Sequence, residues 1–276
     1  MLKTTRKQTQ HKMNNSYTLI TGASKGIGLE LTYLFAKNNH NLILVARSKD
    51  LLEKIKDDII SKYNVKVEIF SCDLTKDYSI DDIYNFTTTN NLNVNILVNN
   101  AGFGDYGYFV DSSMDKNNDM IQLNITTLTS LCHIYLKDMI KNKEGKIMNV
   151  ASIASFLPGP LMATYYATKS YVLSFTEALS KELKGTGVSV TALCPGTTRT
   201  NFFDVANANE KNSNLLKNMK PADPKKVAIY GYKKMMNNKV VALYGSSNRL
   251  LVFLIRFAPR SLVRSVAYKI QSKRKG

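Results

Sequence analysis

Tyr165 and Lys169 stand four residues apart, and Ser152 stands thirteen residues before the tyrosine. On a helix, positions i and i+4 share a face, so the phenol and the ammonium would point the same way. An isolated phenol titrates near pH ~10, too high for efficient acid–base work at neutral pH. A neighbouring ammonium, or the positive ring of an oxidised nicotinamide, favours the phenolate and draws that value down. Ser152 can hydrogen-bond a substrate oxygen and hold it beside Tyr165. Together these residues have the makings of a proton donor to a carbonyl oxygen. Tyr166 lies three residues before Lys169, and spacing alone does not separate it from Tyr165.

A second group lies near the other end of the chain. Thr21-Gly22-Ala23-Ser24-Lys25-Gly26-Ile27-Gly28 follows a short apolar run. Gly22 allows a tight turn, and Gly26 and Gly28 let backbone approach a pyrophosphate with no Cβ in the way. The helix that follows offers free N–H groups and the positive end of its dipole. The loop therefore suits a dinucleotide. The next apolar run ends in Ala46-Arg47, where an acid would bind a ribose 2′-hydroxyl and repel a 2′-phosphate. Arg47, with Lys25 in the glycine loop, instead favours a 2′-phosphate, hence NADP(H). Asp73, in Cys72-Asp73-Leu74, can accept from an adenine amino group or cap the next helix. Asn99-Asn100-Ala101-Gly102 supplies small residues for close packing on the cofactor and amides for exposed backbone.

The elements that must position these groups alternate. Strands are expected over 17–21, 41–46, 65–70, 95–99, 146–151, 188–193 and 240–244. Helices are expected over 26–39, 49–63, 80–89, 114–142, 164–184 and 224–237. Alternation with right-handed crossovers implies an α/β fold: a Rossmann-type doubly wound parallel sheet of about seven strands, with helices on both faces. Ligands bind such sheets beyond the carboxyl ends of the strands, where all the motifs above fall. The Asn-rich stretch 201–220 has weak periodicity and reads as a mobile loop or lid.

These residues, in this order and spacing, resemble the short-chain dehydrogenase/reductase family over roughly 17–244, as an NADP-preferring, single-domain member. The resemblance favours Tyr165 over Tyr166. It implies a catalytic set of Asn124, Ser152, Tyr165 and Lys169, with Asn124 helping to bind a water that relays protons. It implies that Lys169 holds the ribose and that Ser152 stabilises the developing oxyanion. Cofactor contacts are then expected from Gly22, Ser24, Lys25, Gly26, Ile27, Gly28, Arg47, Asp73, Leu74, Asn100, Ala101 and Gly102. Tyr165, Lys169, Pro195, Gly196, Thr198 and Thr200 complete the cofactor set. An apolar wall is expected from Phe103, Tyr106 and 156–162. It suits an apolar small-molecule carbonyl such as a long-chain 3-oxoacyl thioester of coenzyme A or a carrier protein, or a steroid-like ketone. A non-catalytic NADP-binding sensor is the alternative of a different class. Many members of the family are homo-oligomers, and the same is expected here.

The bulk numbers bound the rest. A chain of 276 residues, 44% apolar, can bury one large α/β core. The net charge of +17 is uneven: residues 1–16 carry +4 and residues 240–276 carry +8, neither with an acid. Three regions are expected: a basic disordered extension over 1–15, a catalytic domain over 16–245, and a basic amphipathic extension over 246–276. Segment 249–264 could lie peripherally on an anionic membrane, cover the cleft, or make an oligomer interface. No nucleic-acid-binding motif is present. Cys72, Cys132 and Cys194 form no CxxC pair and read as reduced, small core residues, which points to a cytoplasmic setting. The three histidines show no ligand spacing, so no metal site is expected. No secretory signal or membrane-spanning run is expected either.

Overall fold

A computed structural model describes residues 15–206, 208 and 220–272. Seven strands form one parallel sheet: β1 (Ser16–Thr21), β2 (Asn41–Ala46), β3 (Val67–Ser71), β4 (Asn93–Asn99), β5 (Gly145–Val150), β6 (Val188–Cys194) and β7 (Val241–Leu243). Their order is β3-β2-β1-β4-β5-β6-β7, so the direction of winding reverses between β1 and β4. That reversal opens a crevice at the carboxyl edge.

The strands read as continuous apolar runs because both faces are covered. Leu19, Ile43 and Val45 enter one core, and their neighbours Ile20, Leu42 and Leu44 enter the other. The second core is closed by α1 (Gly26–Lys37), α2 (Lys49–Lys62) and α8 (Pro224–Met236). The first is closed by α3 (Ser79–Thr89), α5 (Leu128–Asn142) and α6 (Ala163–Glu182).

Three expectations are corrected. The helix expected over 114–142 is α4 (Met114–Ile121), a π-helical stretch Gln122–Thr127, and α5. The single amphipathic segment at 249–264 is two helices, α9 (Ser246–Ile255) and α10 (Arg260–Gln271). Pro259 stands at the break, where its missing N–H and fixed φ suit a helix start and not a helix interior. Of the Asn-rich stretch, the first residues form a short helix, α7 (Phe202–Val205). Most of the remainder, and all but the last residue of the basic extension expected over 1–15, lie outside the described residues.

Candidate active site

Every expected site residue except Gly28 and Asn124 lines one cavity of about 590 Å³ at the carboxyl edge of the sheet. The strands deliver them in turn. The glycine loop follows β1, Arg47 follows β2, Asp73 and Leu74 follow β3, and Asn100–Gly102 follow β4. Ser152 follows β5, and Pro195, Gly196, Thr198 and Thr200 follow β6. Helix α6 brings Tyr165 and Lys169 in from the side, one turn apart.

The glycine loop is locked to the turn after β4. The Asn100 side chain donates to the carbonyls of Thr21 (3.0 Å) and Gly22 (3.2 Å), and the Thr21 hydroxyl accepts from the amides of Asn100 and Ala101, both at 3.0 Å. Gly22 takes a left-handed φ of 64°. Gly28 lies behind the cavity: a Cβ there would sit 2.2 Å from the Gly22 carbonyl oxygen and 2.4 Å from the Asn100 amide nitrogen. Helix α1 begins with no side-chain cap and no acid in its first turn. Its N-terminal N–H groups are thus left for an anion. The loop and helix fit a dinucleotide pyrophosphate.

Arg47 and Lys25 are exposed at the cavity rim, and no acid stands at the end of β2. Asp73 does not cap α3, whose N-cap is Tyr78. Its carboxylate instead accepts from the Thr75 amide (3.1 Å) and hydroxyl (2.9 Å). Burial raises the Asp73 carboxyl, but the Thr75 hydrogen bonds and the charge of Arg47 outweigh it and hold it below its usual range. The Leu74 carbonyl is tied to the π-helical stretch by the Thr127 hydroxyl at 2.7 Å.

Asn124 lies in that stretch and is buried. Its amide donates to the Phe103 carbonyl and the Thr168 hydroxyl, both at 3.0 Å, and its oxygen accepts from the Phe103 amide at 3.2 Å. Gly102 separates it from Lys169: a Cβ at Gly102 would stand 2.8 Å from the Asn124 oxygen and 3.4 Å from the Lys169 Nζ. Asn124 therefore braces the cavity floor from behind.

The two tyrosines are told apart by their partners. Ser152 faces the Tyr165 phenol closely enough to favour its charged form, and the Lys169 Nζ lies 5.9 Å from the Tyr165 ring centroid. Tyr166 lies on the cavity wall, and its hydroxyl accepts from Gln271 of α10 at 3.1 Å. Burial raises the Tyr165 phenol well above its ordinary value, and Ser152 draws it part of the way back. Lys169, expected to draw it down further, stands beside the ring. The ammonium is itself buried, donates to the Val150 carbonyl at 2.8 Å, and is pushed by burial from 10.5 to about 8. Burial thus keeps Tyr165 a neutral phenol.

The expected apolar wall is revised. Of 156–162 only Met162 lines the cavity, together with Phe103; Tyr106 does not. Phe156 packs into the core beneath the sheet, and Tyr106 donates its hydroxyl to the Gln271 carbonyl at 2.7 Å. The wall is completed by Phe202, Phe203 and Val205, which sequence reasoning missed. Phe202 packs 5.0 Å from the Tyr165 ring. Lys116, paired with Asp105 at 2.5 Å, also lines the cavity. Cys132 and Cys194 are buried as expected, but Cys72 is half-buried and lines the cavity beside Asp73. Among the described residues, no three His, Cys, Asp or Glu side chains gather as a metal site.

A doubly wound sheet with a glycine loop at its switch point, and Ser, Tyr and Lys converging on the same cavity, defines the class of dinucleotide-binding oxidoreductase folds. Comparison with known proteins sharpens that. The short chain dehydrogenase family model matches residues 16–211, and this chain belongs to that family of NAD(P)(H)-dependent oxidoreductases. It is 33% identical over 179 residues to a very-long-chain 3-oxoacyl-CoA reductase of Coprinopsis cinerea, covering 63% of this chain and 52% of that protein. It is 32% identical over 204 residues to hydroxysteroid dehydrogenase-like protein 1 of Gallus gallus, covering 73% of this chain and 61% of that one. The matches thus span little more than half the length of these relatives. Among solved structures, the fold is similar to a short-chain dehydrogenase from Sphingobium yanoikuyae in complex with NADPH. The TM-score is 0.78 at 27% identity, covering 88% of this chain and 93% of that one. A bulky-bulky ketone specific alcohol dehydrogenase from Comamonas testosteroni gives 0.74 at 26%, covering 91% and 96%.

Proposed function

We propose that this chain reduces the carbonyl of an apolar small molecule with NADPH, Tyr165 delivering the proton. The observation that carries the reading is the convergence of Tyr165, Ser152 and Lys169 on a cavity that runs without interruption to the glycine loop. When bound, NADPH supplies a hydride to the carbonyl carbon. Ser152 orients the carbonyl oxygen and stabilises the charge that grows on it. Tyr165 donates its proton to that oxygen. Lys169 takes the ribose hydroxyls and meets the charge left on the phenolate. Asn124 holds the 102–103 backbone against the cavity floor. The glycine loop, the N-terminus of α1, the turn after β4 and residues 195–200 hold the dinucleotide. Leu74 and Asp73 flank its adenine, and Arg47 and Lys25 select the 2′-phosphate.

Phe103, Met162, Phe202, Phe203 and Val205 favour an acyl chain or fused ring system over a small polar ketone. A 3-oxoacyl thioester is the substrate class that the curated relatives' names support. The same reading includes association between copies of this chain, for which exposed Ile121 and Ile140, on α4 and α5, and Tyr171, on α6, offer apolar area.

The test is a screen of NADPH oxidation over ketones and 3-oxoacyl thioesters of rising chain length, with NADH in parallel. Activity should rise with chain length and prefer NADPH. Replacing Arg47 by Asp should weaken NADPH about ten- to a hundredfold in KM, the worth of a lost charge-assisted hydrogen bond plus repulsion, and spare NADH. A wild-type preference for NADH would overturn the role given to Arg47.

A further inference from the structure

We propose that α9 docks this protein onto an anionic lipid surface. The residues of α9 that turn inward are Asn248, Val252 and Ile255, a narrow stripe resting on the turn Ile153–Phe156 that follows Ser152. Its outward face carries Leu250, Phe253, Leu254 and, two residues past the helix, Phe257. The spacing i, i+3, i+4, i+7 is that of a core-facing stripe, yet it faces away from the core. Phe257 is 74% exposed, Leu250 60%, and Phe253 and Leu254 more than half. The two phenylalanine rings lie 5.2 Å apart, a compact apolar ridge. A soluble monomer rarely leaves such a contiguous patch without a partner.

Charge chooses the partner. Arg249 and Arg256 fall at one flank of the ridge, and Arg260, Arg264 and Lys269 follow on α10, with no acid anywhere in 246–272. An apolar ridge flanked by cations alone fits the headgroup boundary of an anionic bilayer, with aromatic and leucine side chains in the acyl region and guanidinium groups on the phosphates. A second copy of this chain would bring the same cations face to face across the ridge. No helix among the described residues is long and apolar enough to cross a membrane, so contact here lies along the surface. On the inner stripe of α10 (Val263, Ala267 and Gln271), Gln271 meanwhile holds Tyr166 on the cavity wall and Tyr106 behind it. The lipid-facing pair of helices is therefore fastened directly to the pocket.

The experiment is flotation of the full chain with vesicles of phosphatidylcholine alone and of phosphatidylcholine with about one-third phosphatidylserine, at low and high salt. The chain should float with the anionic vesicles at low salt and much less with the neutral ones. Replacing Phe253 and Phe257 together by Ser should lower the bound fraction about tenfold or more, and replacing Arg249 and Arg256 by Glu should do the same. Both variants should keep wild-type turnover of a water-soluble ketone and wild-type thermal midpoints. No flotation of the wild type overturns the proposal. So does binding undiminished in both variants, which would place the contact outside α9. So does a dimer, seen by light scattering, that dissociates on the Phe→Ser change while vesicles bind neither form.

Discussion

Lys169 shows how a single side chain is set by its surroundings. Its ammonium is buried, held by one backbone carbonyl, and titrates near 8 instead of 10.5. Below about pH 8 both folded and unfolded chains carry the proton, and the fold bears the full cost of the buried charge. Between about 8 and 10.5 the unfolded chain binds the proton and the folded chain does not, so stability rises with pH through that window. Replacing Lys169 by Met removes the term. Urea unfolding at a series of pH values should find the variant more stable than the wild type below pH ~8, with the gap closing as pH approaches ~10.5. A gap that does not change with pH would contradict this burial. The neutral Tyr165 phenol belongs to the same surroundings: the desolvation that drives the ammonium down drives the phenol up. Both shifts disfavour charge in the cleft, in keeping with the proton donor proposed for Tyr165.

At the scale of elements, two local devices place the chemistry. Gly28 is the point where α1 passes the turn after β1, and no Cβ fits there. Gly28→Ala should destabilise the fold by about 1–3 kcal/mol, as overpacking does, and should weaken NADPH binding more than the loss of stability explains. Thermal midpoints and fluorescence titration of NADPH separate the two effects. The second device is Gln271, in the last turn of α10, whose side chain donates to Tyr166 and whose backbone carbonyl accepts from Tyr106. Gln271→Ala should raise KM for an apolar ketone several-fold with kcat nearly unchanged, because it loosens the wall and not the proton donor.

These devices also mark what the sequence shows and what it hides. Strands buried on both faces leave unbroken β-branched and leucine runs bounded by Gly, Asn or Pro, so β2 is legible to the residue and most others nearly so. The site is legible because its residues follow strand ends in an order that topology alone makes adjacent. The π-helical stretch is hidden, since a change of hydrogen-bond register leaves no mark in composition; only the reach of Asn124 to Phe103 shows its effect. Phe202, Phe203 and Val205 are hidden because a four-residue helix has too few turns to show a period. Gln271 is hidden because its partners lie more than a hundred residues away. The break at Pro259 was present in the sequence, and apolar content across 249–264 obscured it.

Across the whole molecule, one parallel sheet does three things. Its carboxyl edge gathers the glycine loop and Tyr165 into one cavity, its two faces bury separate cores, and its last strand leads into a cationic helical pair fastened to the cavity wall at Tyr166. The proposed reaction and the proposed surface contact thereby share one frame. All of this rests on Tyr165 as the proton donor. The most direct test is the rate of NADPH oxidation by Tyr165→Phe beside the wild type, on the best ketone or thioester from the screen, with NADPH affinity measured on both. The account predicts a fall in kcat of about 10²–10⁴-fold with NADPH affinity unchanged. A variant that turns over within a few-fold of the wild type would contradict it.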